Sequence, residues 1–312
     1  MRTKLLPTLL GFLAIGGSIA AQNPPPVFRA ETEAVLVTAT VLDRDGHPVT
    51  DLRREDLRVF EDGVPQEIVV FHIDAEAPLT AVLVVDTSGS MEDKLDDVKD
   101  ALTHLLDSAQ PDDEVAMLRF SQFVEVVSAA GEGRDRLRRQ IGQLRAFGGT
   151  ALNDAILDGL EHARRGRHRK KALIVITDGN DTSSTAPARD VIDAVRRSEV
   201  LVYALGIGHG ERGSFGHGPD KVDIGFLRRV AEPTGGRAYD LEDAHRGGVD
   251  QVDLAVSTIA RELRVQYTIG YYPTNTRKDG AFRRITINTT RVGETVRARS
   301  GFWAPGGGPT GS

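Results

Sequence analysis

The apolar and polar positions fall into three textures along the chain. From residue 33 to 73 they alternate in short runs broken by turn residues, as in strands with one face on a core. Residues 33–42, which include A-V-L-V-T-A-T-V-L, predict a first strand, and D-R-D-G at 43–46 predicts a turn. Residues 57–61 and 66–73 predict a hairpin around Asp62-Gly63, because Asp-Gly supplies the positive φ of a tight turn. From residue 79 the texture changes to continuous apolar runs, at 79–85, 115–120, 172–177, 201–207 and 237–241. Such runs suit strands covered on both faces. A shorter run at 124–128 predicts an edge strand running the other way.

Between these runs the spacing becomes helical. Leu95, Val98, Leu102 and Leu105 share one side of a predicted helix over 91–109, with acids on the other. Further helices are predicted over 134–144, 152–164, 188–198, 224–231 and 252–263. Buried strands alternating with amphipathic helices predict an α/β fold with a doubly wound, mostly parallel sheet. The third texture returns to strands, at 265–272, 282–290 and 296–299, with a turn at Lys278-Asp279-Gly280. Neither β-rich flank is large enough to bury a core alone. Three strands from each side are therefore expected to form one sandwich, into which the α/β domain is inserted. The predicted organisation is a signal peptide at 1–20, a Pro-rich linker at 21–30, and a β-rich segment at 31–77. The α/β domain follows at 78–263, then a β-rich segment at 264–304 and a disordered tail at 305–312.

Composition narrows the function. Of 312 residues 40% are hydrophobic and 27% charged, with a net charge of −6, which is ordinary for a globular protein. The single basic run, R-R-G-R-H-R-K-K at 164–171, reads as a helix end, where cations are favoured. No nucleic-acid partner is expected. There are no cysteines, so disulfides, thiolate metal sites and Cys nucleophiles are excluded. The first residues, Met1-Arg2-Thr3-Lys4, precede an apolar stretch over 5–19 and the small residues Ser18 and Ala20. That order predicts a cleavable signal peptide and a secreted or periplasmic protein, with an uncleaved anchor as the alternative. No integral membrane segment is expected after cleavage.

The chemistry concentrates in one string. Asp86-Thr87-Ser88-Gly89-Ser90 directly follows the first buried strand, at the carboxyl end where such sheets bind ligands. Alternate side chains of this turn bring Asp86, Ser88 and Ser90 to one point, and Gly89 is expected to let the backbone turn tightly. Hard oxygen donors without His or Cys suit Mg²⁺, with Mn²⁺ or Ca²⁺ as alternatives. A helix cap is the bland reading of the same string. Three ligands are too few for an octahedral ion. Two later strand ends offer more: Thr150 after Gly148-Gly149, and Asp178 in T-D-G-N-D.

D-T-S-G-S, G-G-T and T-D-G-N-D together resemble the metal-ion-dependent adhesion site of von Willebrand factor A domains, also found in integrin I domains. The resemblance spans roughly residues 78–263, and all five positions match. It implies that Ser88 and Ser90 hold the metal directly and that Thr150 joins them in the ligand-engaged state. Asp86 and Asp178 then act mostly through water, orienting ligands and offsetting charge. One coordination position stays open for an Asp or Glu of a protein partner, which the ion attracts as an electrophile. Val59-Phe60-Glu61-Asp62-Gly63 and Tyr267-Thr268-Ile269-Gly270-Tyr271-Tyr272-Pro273 resemble an exported bacterial subgroup, the VWFA-related proteins common in acidobacteria.

The expected function is a non-enzymatic, metal-dependent protein-binding module for adhesion or complex assembly. A metal-dependent hydrolase and a structural envelope component with a stabilising metal are the alternatives. Hydrolysis needs a base beside the metal, and none of the eight His falls in the motif loops. Asp154 reads as a first-turn helix acid and Asp181 as a solvated loop acid or an outer metal residue. The Gly-rich stretch 209–218 reads as a mobile loop on the metal face. Tyr267, Tyr271, Tyr272 and Trp303 read as core or rim of the β-rich part.

Overall fold

The computed structural model describes residues 33–75, 77–208, 222–241 and 250–306. The expected signal peptide, linker, 209–218 loop and most of the tail lie outside the described residues. In chain order the strands are β1 (Val35–Leu42), β2 (Leu57–Glu61), β3 (Val64–Gln66), β4 (Ile68–Ile73), β5 (Leu79–Asp86), β6 (Glu114–Phe120), β7 (Val124–Ser128), β8 (Lys170–Thr177), β9 (Leu201–Ile207), β10 (Arg237–Leu241), β11 (Tyr267–Tyr271), β12 (Phe282–Thr289), β13 (Thr295–Ala298) and β14 (Gly301–Trp303). The helices are α1 (Leu95–Ser108), α2 (Arg134–Gly142), α3 (Leu152–Arg165), α4 (Ala188–Arg197), α5 (Ile224–Ala231) and α6 (Gln251–Arg264).

Six strands form the central sheet in the order β10-β9-β8-β5-β6-β7. All neighbours are parallel except β6 and β7, which are antiparallel, as the short edge run predicted. Every residue of β5 and β9 is buried, which explains their unbroken apolar runs. Side chains alternate across the sheet. Leu83, Val85 and Ile174 pack with Leu102, Ile141 and Ile259 of α1, α2 and α6. Val82, Val84 and Val175 pack on the opposite face with Ile156, Val195 and Val230 of α3, α4 and α5. The sheet is therefore doubly wound, with three helices on each face.

The ends of these helices follow local chemistry. Asp250 caps α6 by accepting from Val252 and Asp253 N–H at 2.8 and 3.1 Å, and Asp223 caps α5 through Phe226 N–H at 2.8 Å. Lys171 donates to the Ala163 and Arg164 carbonyls at 3.1 and 3.0 Å. The basic run thus closes the end of α3, where free carbonyls favour a cation. The helix expected from residue 91 starts later. A short 3₁₀ turn, Gly89–Met91, comes first, and α1 begins at Leu95.

The β-rich flanks build two antiparallel sheets, β13-β1-β11-β4 and β14-β12-β2-β3. Each mixes N- and C-terminal strands, and one core joins them through Val37, Val41, Val59, Ile269, Tyr271, Ile285 and Ile287. Tyr267 and Tyr271 are buried there, while Tyr272 and Trp303 are exposed. The predicted strand over 66–73 is two strands. Gln66 ends β3 beside β2, whereas Ile68 opens β4 in the other sheet beside β11. The chain switches sheets at Glu67, so both Gln66 and Ile68 point into the shared core. A β14 strand, not expected from the sequence, pairs with β12 at Phe282↔Trp303. The α/β stretch leaves from β4 and returns at β11, and Asp74 N–H donates to the Gln266 carbonyl at 2.7 Å.

Candidate metal centre

β5, β6 and β8 are parallel, so their carboxyl ends meet on one edge of the sheet. Asp86 is the last residue of β5 and Asp178 follows the last residue of β8; both are fully buried. The turn after β5 is fixed from two sides. Thr87 donates its N–H to the Phe120 carbonyl at 2.7 Å and its hydroxyl to the same oxygen at 3.0 Å. The Thr87 carbonyl accepts Phe147 N–H at 2.8 Å, and Gly89 N–H reaches the Gly148 carbonyl at 3.0 Å. These bonds tie the 147–150 loop across the turn.

The glycine requirement falls on that loop and not on Gly89. Gly89 has no positive φ, and a Cβ there would make only an ordinary contact. Gly148 has φ +77°, the left-handed region that favours glycine. A Cβ on Gly149 would lie 2.5 Å from Ser183 Oγ. Both glycines let Thr150 close against the 178–183 loop. Thr182 and Ser183 N–H groups donate to the Thr150 carbonyl at 2.8 and 3.0 Å, and Thr150 N–H donates to Thr182 Oγ1 at 3.0 Å.

Four of the five expected residues form one hydrogen-bonded chain. Ser88 N–H donates to Asp86 Oδ1 at 2.8 Å. Ser88 Oγ and Ser90 Oγ are 3.1 Å apart, and the Ser90 hydroxyl donates to Asp178 Oδ1 at 2.8 Å. Thr150 stands beside them: its Oγ1 would be 3.6 Å from a Cβ on Gly179. The donor set fits a hard divalent ion. Octahedral Mg²⁺ with oxygens at about 2.0–2.1 Å places neighbouring ligands about 3 Å apart, close to the 3.1 Å between the two serine hydroxyls. A serine oxygen that holds an ion still has its proton to give, and Asp178 is placed to accept it.

Burial pushes the Asp86 carboxyl up to about 6, against the hydrogen bonds of Thr177 and Ser88; the neighbouring Asp178 charge adds to the rise. Thr177 donates to Asp86 Oδ2 at 2.6 Å. Thr177 and Lys94 were not singled out from the sequence. Lys94 pairs with Asp178 Oδ2 and lies 3.5 Å from the Ser90 carbonyl. Its signal is its spacing: it stands four residues after Ser90, among Glu92, Asp93, Asp96 and Asp97, one helical turn on. Asp154 does more than start α3. Its carboxylate accepts from Thr185 N–H, Thr185 hydroxyl and Ala186 N–H, all at 2.9 Å. Asp181 is not simply solvated: it accepts Asn153 N–H at 3.1 Å and Ser184 hydroxyl at 2.5 Å. The two acids staple the loop behind Thr150.

A doubly wound sheet with hydroxyl and carboxylate groups gathered at its carboxyl edge defines a class of ligand-binding α/β domains. The von Willebrand factor type A domain model matches residues 81–253, more than half of the chain. The chain belongs to that family, whose domains serve protein interaction and adhesion. It is 27% identical over 269 residues to inter-alpha-trypsin inhibitor heavy chain H1 of Sus scrofa, covering 78% of this chain and 28% of that one. An uncharacterised protein of Synechocystis is 31% identical over 140 residues, covering 43% of this chain and 33% of its own length. The chain thus spans about a quarter to a third of these relatives. Among solved structures, a von Willebrand factor type A protein from Catenulispora acidiphila aligns with a TM-score of 0.50 at 13% identity, covering 89% of this chain and 74% of that chain. That likeness concerns the fold.

Proposed function

We propose that the protein is an exported, non-enzymatic binding module that captures a partner's Asp or Glu through Mg²⁺. Ser88, Ser90 and Thr150 hold the ion, with Asp86 and Asp178 behind them. The observation that carries this reading is the chain of oxygens from Asp86 through Ser88 and Ser90 to Asp178, with Thr150 clamped beside it. When bound, the ion supplies a Lewis-acid position for an incoming carboxylate. The protein's own part is orientation. Asp86 fixes the Ser88 backbone, Asp178 accepts the Ser90 hydroxyl's hydrogen bond, and the Asp154 and Asp181 staples hold the Thr150 loop. Mn²⁺ or Ca²⁺ would meet the same donors.

Export is proposed from the 1–20 leader, and membership of the acidobacterial-type VWFA-related subgroup from the flanking motifs quoted above. Among the described residues no helix is long and apolar enough to cross a membrane. Recovery outside the cytoplasm of a chain beginning near Ala21 would support export; recovery of full-length chain only in the cytoplasm would refute it.

Binding is tested by calorimetry with Mg²⁺ on the wild-type protein and Ser88→Ala, then by envelope pull-downs with Mg²⁺ and with EDTA. We expect Mg²⁺ binding and partner capture in wild type only, and loss of capture in EDTA. Capture indifferent to Mg²⁺, EDTA and Ser88→Ala would end this reading.

A further inference from the structure

Lys94 places a positive charge inside the proposed metal centre. It is the N-cap residue of α1, and its side chain is only 11% exposed. Its ammonium bonds Asp178 Oδ2 while Ser90 bonds Asp178 Oδ1. Both oxygens of one fully buried carboxylate are therefore engaged, one by a hydroxyl and one by a cation. A buried carboxylate left without a positive partner is strongly unfavourable. Lys94 supplies that partner from within the chain.

The charge balance gives this pair a consequence for binding. Asp86 and Asp178 alone would cancel a divalent cation. Lys94, these two acids and a divalent ion together sum to one positive charge, which a single carboxylate from a partner would cancel. Resting on the proposed metal site, we infer that Lys94 is a resident counter-charge that weakens the ion's hold on the protein and strengthens the centre's hold on an acidic partner. The residue acts through Asp178 and needs no contact with ion or partner. The trade is between two affinities of one site. A centre without Lys94 would keep its ion more tightly and attract an acid less. Asp178 cannot give the ion its full charge while one of its oxygens faces an ammonium. Coulomb attraction between unit charges several ångströms apart, at an effective dielectric near 20, is large enough to change an affinity by about tenfold or more.

The test uses the full chain and Mg²⁺ as the probe. Lys94→Met keeps the length of the side chain and removes its charge; Lys94→Gln does so with a polar group. Mg²⁺ affinity is measured by calorimetry in wild type and both variants, each with and without Ser88→Ala. Melting is followed in EDTA and in Mg²⁺. We expect both variants to bind Mg²⁺ at least about tenfold more tightly than wild type, and Ser88→Ala to remove the binding in every background. We also expect Lys94→Met to melt lower than wild type in EDTA and to regain most of that loss in Mg²⁺. A purely structural lysine would lower the melting temperature without tightening Mg²⁺. Ser88-dependent binding that is unchanged or weaker in both variants would overturn the inference.

The two readings fail separately. If no protein shows Ser88-dependent Mg²⁺ binding, the metal site itself falls. The counter-charge is then judged without metal, by adding Asp178→Asn to Lys94→Met. Recovery of melting temperature in the double variant supports the pairing of charges. A double variant no more stable than Lys94→Met overturns it, and the same comparison serves if Lys94→Met folds poorly.

Discussion

Asp113 and Asp86 are buried acids at opposite ends of the central sheet, and their surroundings treat them in opposite ways. At the end facing the β-sandwich, Asp113 accepts Leu79 N–H at 3.0 Å and Gln110 N–H at 2.7 Å. Arg264 of α6 grips both its oxygens, one arm at 3.2 Å. Burial pushes the Asp113 carboxyl up, but the Arg264 guanidinium and the two backbone N–H groups outweigh it and hold it below the usual range. At the other end Asp86 lies deeper and receives only hydroxyl and amide donors, and burial pushes it up to about 6. One acid is fully compensated by fixed groups. The other is left short of positive charge. The Asp113–Arg264 pair serves architecture, whereas the undercompensated Asp86 suits a binding centre for a cation.

Three outcomes would break or sharpen this contrast. The largest belongs to the architectural end. Arg264→Met strands the buried Asp113 charge and should cost about 3–5 kcal/mol, read by denaturant unfolding, with Mg²⁺ binding unchanged. A loss below about 1 kcal/mol would mean the two ends are not so different. The next is the acid limb. Asp113 has a folded pKa below its ordinary 3.8. Its stabilisation is therefore present above 3.8 and fades as pH falls below that value. Asp113→Asn should flatten the loss of stability between pH 4 and 2 in urea titrations; an unchanged slope would contradict the assignment. The smallest effect is at the site. Ser88→Ala removes one hydroxyl contact and should cost only about 0.5–1.5 kcal/mol without metal. A collapse of several kcal/mol would make Ser88 a structural residue.

Much of this was legible in the sequence because its causes are local. The runs at 79–85 and 201–207 read as covered strands, since their residues are buried on both faces. Asp86, Ser88 and Ser90 sit in one turn and Asp178 follows the end of β8, whereas Thr150, expected at a strand end, lies in the loop between α2 and α3. What escaped depends on contacts between distant segments. The switch of sheets at Glu67 follows from which strand each neighbour pairs with, Gln66 with β2 and Ile68 with β11, not from any breaker residue. Thr177 is bonded to Asp86 across a strand pair, and nothing marks a threonine in an apolar run. Lys94 is one cation on an acidic helix start, and only the folded chain brings Asp178 to it. Asp181 read as solvated because its partners, Asn153 and Ser184, are known only once the loop is closed.

The return of the chain at Gln266 to the side of Asp74 has a mechanical consequence. To the sandwich, the entire α/β stretch is the loop of a hairpin whose arms are β4 and β11, antiparallel neighbours from Tyr267↔Ile73 to Tyr271↔Ile68. A partner tugging on the proposed metal edge would pull both arms from the same end and in the same direction. The load slides the arms together past β1, the other neighbour of β11, and does not peel one arm from the other. Strands loaded along their length share the strain over many hydrogen bonds at once, which is the arrangement a tether under tension needs.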